Sequence, residues 1–215
     1  YRGDQPSPAF IKIPHGPAGR SYGYKDDLRD FDLHLIFGSQ YYDNLKTKDL
    51  LGNKTVVVGS AKLDAVTSVK KPALFPEEKP IVLYNPHFGI PHSSWHEHGV
   101  AVLDYFKNQN TYNLIFAPHI NLFNKVGLDT DMSFVGDFNE VPHIYMDLGS
   151  VASVDMVYPQ MADIYLGDVS SQSYEFMITP RPCIFIDAEK IDYANHMFYP
   201  FWTAGKVVEH IEQLE

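Results

Sequence analysis

The stretch 162-ADIYLGDVSSQSYEFMITPRPCIFID-187 decides how this 215-residue chain is built. Ala162–Ser171 reads as a strand running into a turn, Gln172–Ile178 as a helix, and Pro182–Asp187 as a second strand. Both strands are continuous apolar runs rather than alternating ones. Such runs belong to parallel sheets that are covered on both faces.

The same unit recurs upstream. Strands are expected at Ile81–Pro86 (IVLYNP), Tyr112–His119 (YNLIFAPH) and Pro142–Asp147 (PHIYMD). Trp95–Lys107 reads as a helix with Val100, Leu103 and Phe106 near one face, and Val154–Met161 as a short helix. Ala204–Leu214 is expected to close the chain as a helix. Nearer the start, Phe10–Gly16 reads as a strand entering a glycine turn. Leu33–Ser39 reads as a strand followed by a helix to about Leu50, and Thr55–Asp64 as a strand leading to a loop. Lys70–Pro80 holds three prolines and mixed charge, and reads as a linker. The expected organisation is therefore α/β, with one part over 1–70 and a doubly wound parallel domain over 71–215.

Composition narrows the function. Seventeen basic against 27 acidic residues give a formal charge of −10, which repels polyanions and argues against nucleic acid as a partner. The single cysteine, Cys183, excludes an intrachain disulfide and a cysteine zinc cluster, and a reducing, cytoplasmic setting is the simplest reading. No apolar run is long enough for a transmembrane helix. The chain begins at Tyr1 rather than methionine, which reads as part of a longer protein.

Open parallel sheets bind ligands outside the carboxyl ends of their strands. Four strand ends here present polar groups: the loop from His87, then His119, then Leu148–Gly149–Ser150, then Asp168–Val169–Ser170–Ser171. In the last, Asp168, Ser170 or Ser171 is placed to cap the next helix, whose first N–H groups and serine hydroxyls suit a diphosphate. Glu175, about a turn further on, is placed to accept hydrogen bonds from a ribose diol. A plain capping turn fits the same residues.

Four of the ten histidines (His87, His92, His96 and His98) lie in one loop. Imidazoles suit zinc, but on a helix His92 and His96 share a face while His98 does not. Ser93 or Ser94 with Glu97 reads as a capping box, so the segment is expected to be a donor-side loop leading into a helix rather than a metal site. His15, before Gly16 at a strand end, has the near-neutral imidazole that suits a general base.

Residues 162–187 resemble a segment of the CDP-glycerol glycerophosphotransferase family, the teichoic-acid-type polymerases and primases of the GT-B fold. IKIPHGPAGRSYGY resembles the family's histidine–glycine motif. FDLHLIFGSQYYDNL and TVVVGSAKLD resemble the crossover between its halves, and PIVLYNPHFG and YNLIFAPH resemble the first strands of its C-terminal half. The resemblance implies a GT-B enzyme with a Rossmann-like C-terminal half that holds a nucleotide-diphosphate donor. It implies His15 as base, His119 near the donor phosphates, Ser170 and Ser171 on the diphosphate, and Glu175 on the ribose. Asp168, His87 and Ser150 join them as donor-side residues. GT-B transferases as a class use no protein-bound metal, so no cofactor is expected.

The implied partners are the donor and a cell-envelope polymer or glycan acceptor, with peripheral membrane association consistent with the family. The full N-terminal half is absent, so this chain alone is expected to turn over poorly. Ala-Pro-His and Asn-Pro-His depart from the family's strand ends. They leave open whether glycerol phosphate or a sugar is transferred. A nucleotide-sugar 2-epimerase, a non-catalytic donor-binding module and an unrelated flavodoxin-like protein are the alternatives.

Overall fold

A computed structural model describes residues 8–14, 24–52, 54–65, 71–124, 131–196 and 199–214. The chain divides into two compact units, Tyr1–Ala65 and Val66–Glu215.

The first unit contains β1 (Ile11–Lys12), β2 (Leu33–Ile36), α1 (Ser39–Thr47), β3 (Thr55–Val57) and α2 (Ala61–Ala65). Its strands lie in the order β1-β2-β3 and are all parallel. The i, i+4 pair Tyr41 and Leu45 of α1 packs on Ile36 of β2, with Leu28 and Leu50 closing the core. The first strand is only two residues long, and His15 lies outside the described residues.

The second unit runs β4 (Ile81–Asn85), α3 (Trp95–Lys107), β5 (Asn113–Phe116), α4 (Asn121–Asn124), α5 (Val135–Phe138), β6 (Ile144–Met146), α6 (Val157–Met161), β7 (Ile164–Gly167), α7 (Gln172–Phe176), β8 (Cys183–Ile186) and β9 (Lys206–Val208). All neighbours pair in parallel, in the order β6-β5-β4-β7-β8-β9. Counted along this unit the order is 3-2-1-4-5-6, a doubly wound sheet that reverses direction between β4 and β7.

Strand residues alternate between two apolar layers. Val82, Tyr84, Leu114, Phe116 and Leu166 face α3, while Leu83, Ile115, Tyr165 and Phe185 pack with Tyr158, Phe176 and Trp202. Because both faces are apolar, these strands read as continuous hydrophobic runs. On α3 the buried stripe is Trp95, Gly99, Val102, Leu103 and Phe106. Val100, expected on that stripe, is 48% exposed. Gly99 is required there, because a Cβ would fall 2.2 Å from the Trp95 ring, which stacks on Phe116.

Three expected elements differ. Val154–Met161 is a helix only from Val157, because Met156 adopts a left-handed conformation at φ 62°. α7 ends at Phe176. The expected closing helix is instead a sixth strand, β9, between short 3-10 turns at Pro200–Ala204 and Ile211–Leu214. Val207, Val208, Ile211 and Leu214 mimic a helical stripe, but Val207 and Val208 pair with Phe185 and Ile186. Gly205 admits this pairing, since a Cβ there would lie 2.4 Å from the Cys183 carbonyl oxygen. Gly205→Ala is expected to cost about 2 kcal/mol in urea unfolding, through loss of the edge strand. Among the described residues no helix is long and apolar enough to cross a membrane.

Candidate functional site

The crevice at the reversal point, above the carboxyl ends of β4 and β7, is where this topology places a ligand. Its organising group is Asp168, only 1% exposed. The carboxylate accepts from His87 N at 2.9 Å, Ser94 N at 2.7 Å, Ser94 Oγ at 2.9 Å and Val169 N at 2.6 Å. It thus ties both ends of the histidine loop to the turn after β7. Burial pushes its carboxyl up to about 6, against the pull of those donors. Trp202 Nε1 donates to the Asp168 carbonyl at 3.2 Å, which fastens the same turn to the core. Asp168 therefore holds the two loops in place.

Ser94 is part of this knot. Its side chain makes no helix cap, contrary to the capping-box reading. The hydroxyl bonds Asp168 and lies 3.1 Å from the Tyr84 hydroxyl, while Ser93 Oγ accepts from Trp95 N. Gly167 lets the strands approach, since a Cβ there would sit 2.9 Å from the Asn85 carbonyl oxygen.

The histidine segment splits in two. His87 and His119 lie with ring centroids 5.4 Å apart, and His87 and His92 at 6.2 Å. Phe88 packs on both His87 and His119. His87 Nδ1 accepts from Gly89 N at 3.0 Å and His119 Nδ1 from Asn121 N at 3.1 Å. In each neutral ring the proton then sits on Nε2, which makes that nitrogen a donor. His92 Nδ1 shares a hydrogen bond with the Tyr199 hydroxyl. His96 and His98 belong to α3, with His96 exposed. Among the described residues, no group of three His, Cys, Asp or Glu side chains is arranged to hold a metal ion.

The serine turn adjoins Asp168. Ser170 is buried, and its Oγ accepts from Gln172 N at 3.3 Å. Ser171 is half-buried, stands at the N-cap of α7 and makes no side-chain cap. α7 has only five residues, so its dipole adds little, and the local hydroxyls and N–H groups are what the turn offers. Glu175 is 3% exposed and so lies beneath the surface.

Ser150 stands apart, at the end of β6 and two strands from β4. Its hydroxyl donates to Asp147 and accepts from Ala152 N at 3.2 Å, so it caps a turn. Asp147 also accepts from Gly149 N, Ser150 N and the Tyr158 hydroxyl. Burial alone would raise its carboxyl, but the bonds donated by Ser150 and Tyr158 outweigh it and hold the group below the usual range. Because the folded pKa is depressed, this stabilisation is full above the unfolded value and is lost as pH falls through the folded one. Tyr158→Phe is therefore expected to cost about 1–1.5 kcal/mol at pH 7, shrinking towards zero in strong acid, as followed by urea melts at a series of pH values.

A small cavity of about 10 Å³, room for about one water, opens beside β8. His92, Asp187, Glu189 and Tyr199 line it over Ile186 and Trp202. Asp187 and Tyr199 were not singled out from sequence. The signal was the acid that closes successive strands, in IYMD, IYLGD and IFID.

No family model and no curated protein matches the chain. Among solved structures, the wall teichoic acid polymerase TagF aligns with a TM-score of 0.59 at 16% identity, over 94% of this chain and 53% of that one. A variant of TagF gives 0.59 at 15% identity over the same shares. A CDPG-soaked TagF variant gives 0.53 at 16%, over 87% and 47%. The fold is of the GT-B type. The chain spans about half the length of these structures. Within its Rossmann-like GT-B unit the expected residues His87, His119, Asp168, Ser170 and Ser171 fall at or beside the reversal point, Ser150 is distant, Glu175 is buried, and His15 is outside the described residues.

Proposed function

We propose that this chain is the donor-binding part of a transferase. It moves glycerol phosphate, a related polyol phosphate or a sugar from a nucleotide-diphosphate donor to a hydroxyl of a cell-envelope polymer or glycan. The observation that carries this reading is the Asp168 knot, which joins the histidine loop of β4 to the serine turn of β7 at the reversal point. The likeness to TagF, a wall teichoic acid polymerase solved with CDPG, is consistent with it.

In this scheme the Ser171 hydroxyl, the serine-turn N–H groups and His119 Nε2–H donate to the diphosphate oxygens. His15 accepts the proton of the acceptor hydroxyl as its oxygen attacks. With CDP-glycerol the attack is at the phosphorus that carries glycerol, and CMP departs. With a nucleotide sugar it is at the anomeric carbon, and the nucleoside diphosphate departs. The scheme assigns charge neutralisation to these protein donors and includes no metal.

Calorimetric titration with CDP-glycerol, CDP, UDP and UDP-sugars tests the reading. Cytidine nucleotides are expected to bind, and Ser171→Ala to weaken them roughly tenfold, the loss of one hydrogen bond to a charged group. Preference for uridine nucleotides would move the assignment to a sugar transferase or epimerase. Binding of none would end it.

A further inference from the structure

A diphosphate brings negative charge onto a protein whose formal charge is already −10. The strand-end segments 86–94, 117–120, 147–156 and 168–171 hold no lysine or arginine, but they hold His87, His92 and His119. A side-chain positive charge in these segments therefore has to come from an imidazole. The three rings differ in how well they can carry it. His87 is 7% exposed and its Nδ1 accepts from Gly89 N, so a second proton would be buried and would break that bond. His119 Nδ1 likewise accepts from Asn121 N. His92 is exposed, and the partner of its Nδ1 is the Tyr199 hydroxyl. A hydroxyl both donates and accepts, so Tyr199 can donate to the neutral ring and accept from the imidazolium, and the bond survives protonation. Asp187 and Glu189 line the one-water cavity beside this pair and favour the charged ring. His92 meets the edge of His87, with 6.2 Å between ring centroids, which puts it beside the reversal point. The other titratable groups around it are Asp168, which accepts from His87 N, and His196, whose ring packs on Tyr199.

We propose that His92 is a proton switch at this rim: it takes a proton from solvent as an anionic donor binds, and as an imidazolium it supplies the positive charge that the strand ends otherwise lack. Tyr199 is its positioning residue, reversing the direction of its hydrogen bond as the ring gains the proton. The inference rests on the transferase reading and adds a pH dependence to donor binding. An unperturbed imidazole titrates near 6.5, so donor affinity rises as pH falls through that region.

The test measures CDP-glycerol affinity by calorimetry at two pH values, about 7.5 and about 5.5, on either side of the imidazole midpoint. The diphosphate of CDP-glycerol is esterified at both ends, so its own charge stays constant over this range, whereas the terminal phosphate of CDP titrates within it. A charged donor is worth roughly tenfold over a neutral one, so by linkage the His92 midpoint is expected to rise by about one pH unit on binding. The wild type is then expected to bind about fivefold tighter at the lower pH. His92→Gln is expected to bind about equally at both, and His119→Gln to keep the rise. NMR of the histidine rings, assigned through His92→Gln, reads the midpoint directly. Tyr199→Phe, which keeps the ring in the core, is expected to lower that midpoint in the free protein, because the imidazolium loses its acceptor. Equal wild-type affinities at the two pH values would overturn the switch and leave the donor site standing. So would a rise that persists in His92→Gln, which would assign the proton to Asp168 or another histidine, or a His92 midpoint unmoved by CDP-glycerol or by Tyr199→Phe. Failure of CDP-glycerol to bind at either pH would remove both this inference and the reading beneath it.

Discussion

Asp168→Ala is expected to lower the unfolding midpoint of the 66–215 unit by roughly 6–12 °C. The substitution leaves the His87, Ser94 and Val169 N–H groups and the Ser94 hydroxyl without their acceptor in a buried setting. One orphaned buried donor costs about 1–3 kcal/mol, and rearrangement recovers part of the total. A net loss of about 3 kcal/mol, at 2–4 °C per kcal/mol for a unit of this size, gives the quoted range. The pH dependence has a definite sign. The folded carboxyl titrates near 6, above the ordinary value of about 3.9, so between these values the folded state binds a proton that the unfolded state does not. The wild type therefore gains stability from this group as pH falls from 6 towards 4. The alanine variant does not, so the gap between them widens on acidification. Differential scanning fluorimetry at pH 7 and pH 5 reads both effects. Tyr158→Phe behaves oppositely, because Asp147 is depressed rather than raised.

His119→Ala is expected to reduce affinity for CDP by roughly 10–100-fold while leaving the fold intact. Its Nδ1 is occupied by Asn121 N, so Nε2 is the donor that faces the loss. A hydrogen bond to a charged group is worth about 1.5–3 kcal/mol, and each 1.4 kcal/mol is tenfold. The residue is half-buried beside Phe88, so truncation removes little core. His119→Gln, which keeps a donor at similar reach, is expected to recover part of the affinity. If His119→Ala binds CDP like the wild type, the diphosphate does not contact this strand end.

Much of this was legible in the sequence, because β4, β5, β7 and β8 are near-continuous apolar runs, broken only by Asn85 and Asn113 at strand ends, the pattern a doubly covered parallel sheet produces. Strand ends then located the rim. What escaped was what depends on distant partners. Ser94 looks like a local cap, and only the fold shows that Asp168, 74 residues away, takes its hydroxyl. Val207 and Val208 fit a helical stripe, and only their pairing with β8 makes them a strand. Asp147 and Asp187 stand in the sequence as plain strand ends. Their bonds to loop N–H groups require the loop's conformation to be known. Glu175 has the spacing of a ribose ligand, yet α7 turns it inward.

The most direct test is a crystal structure of the chain grown with CDP. The diphosphate is expected against the Ser170–Ser171 turn, with a phosphate oxygen within hydrogen-bond distance of His119 Nε2 and Asp168 still bonded to Ser94. A nucleotide bound elsewhere on the 66–215 unit, or on the 1–65 unit, would contradict the account.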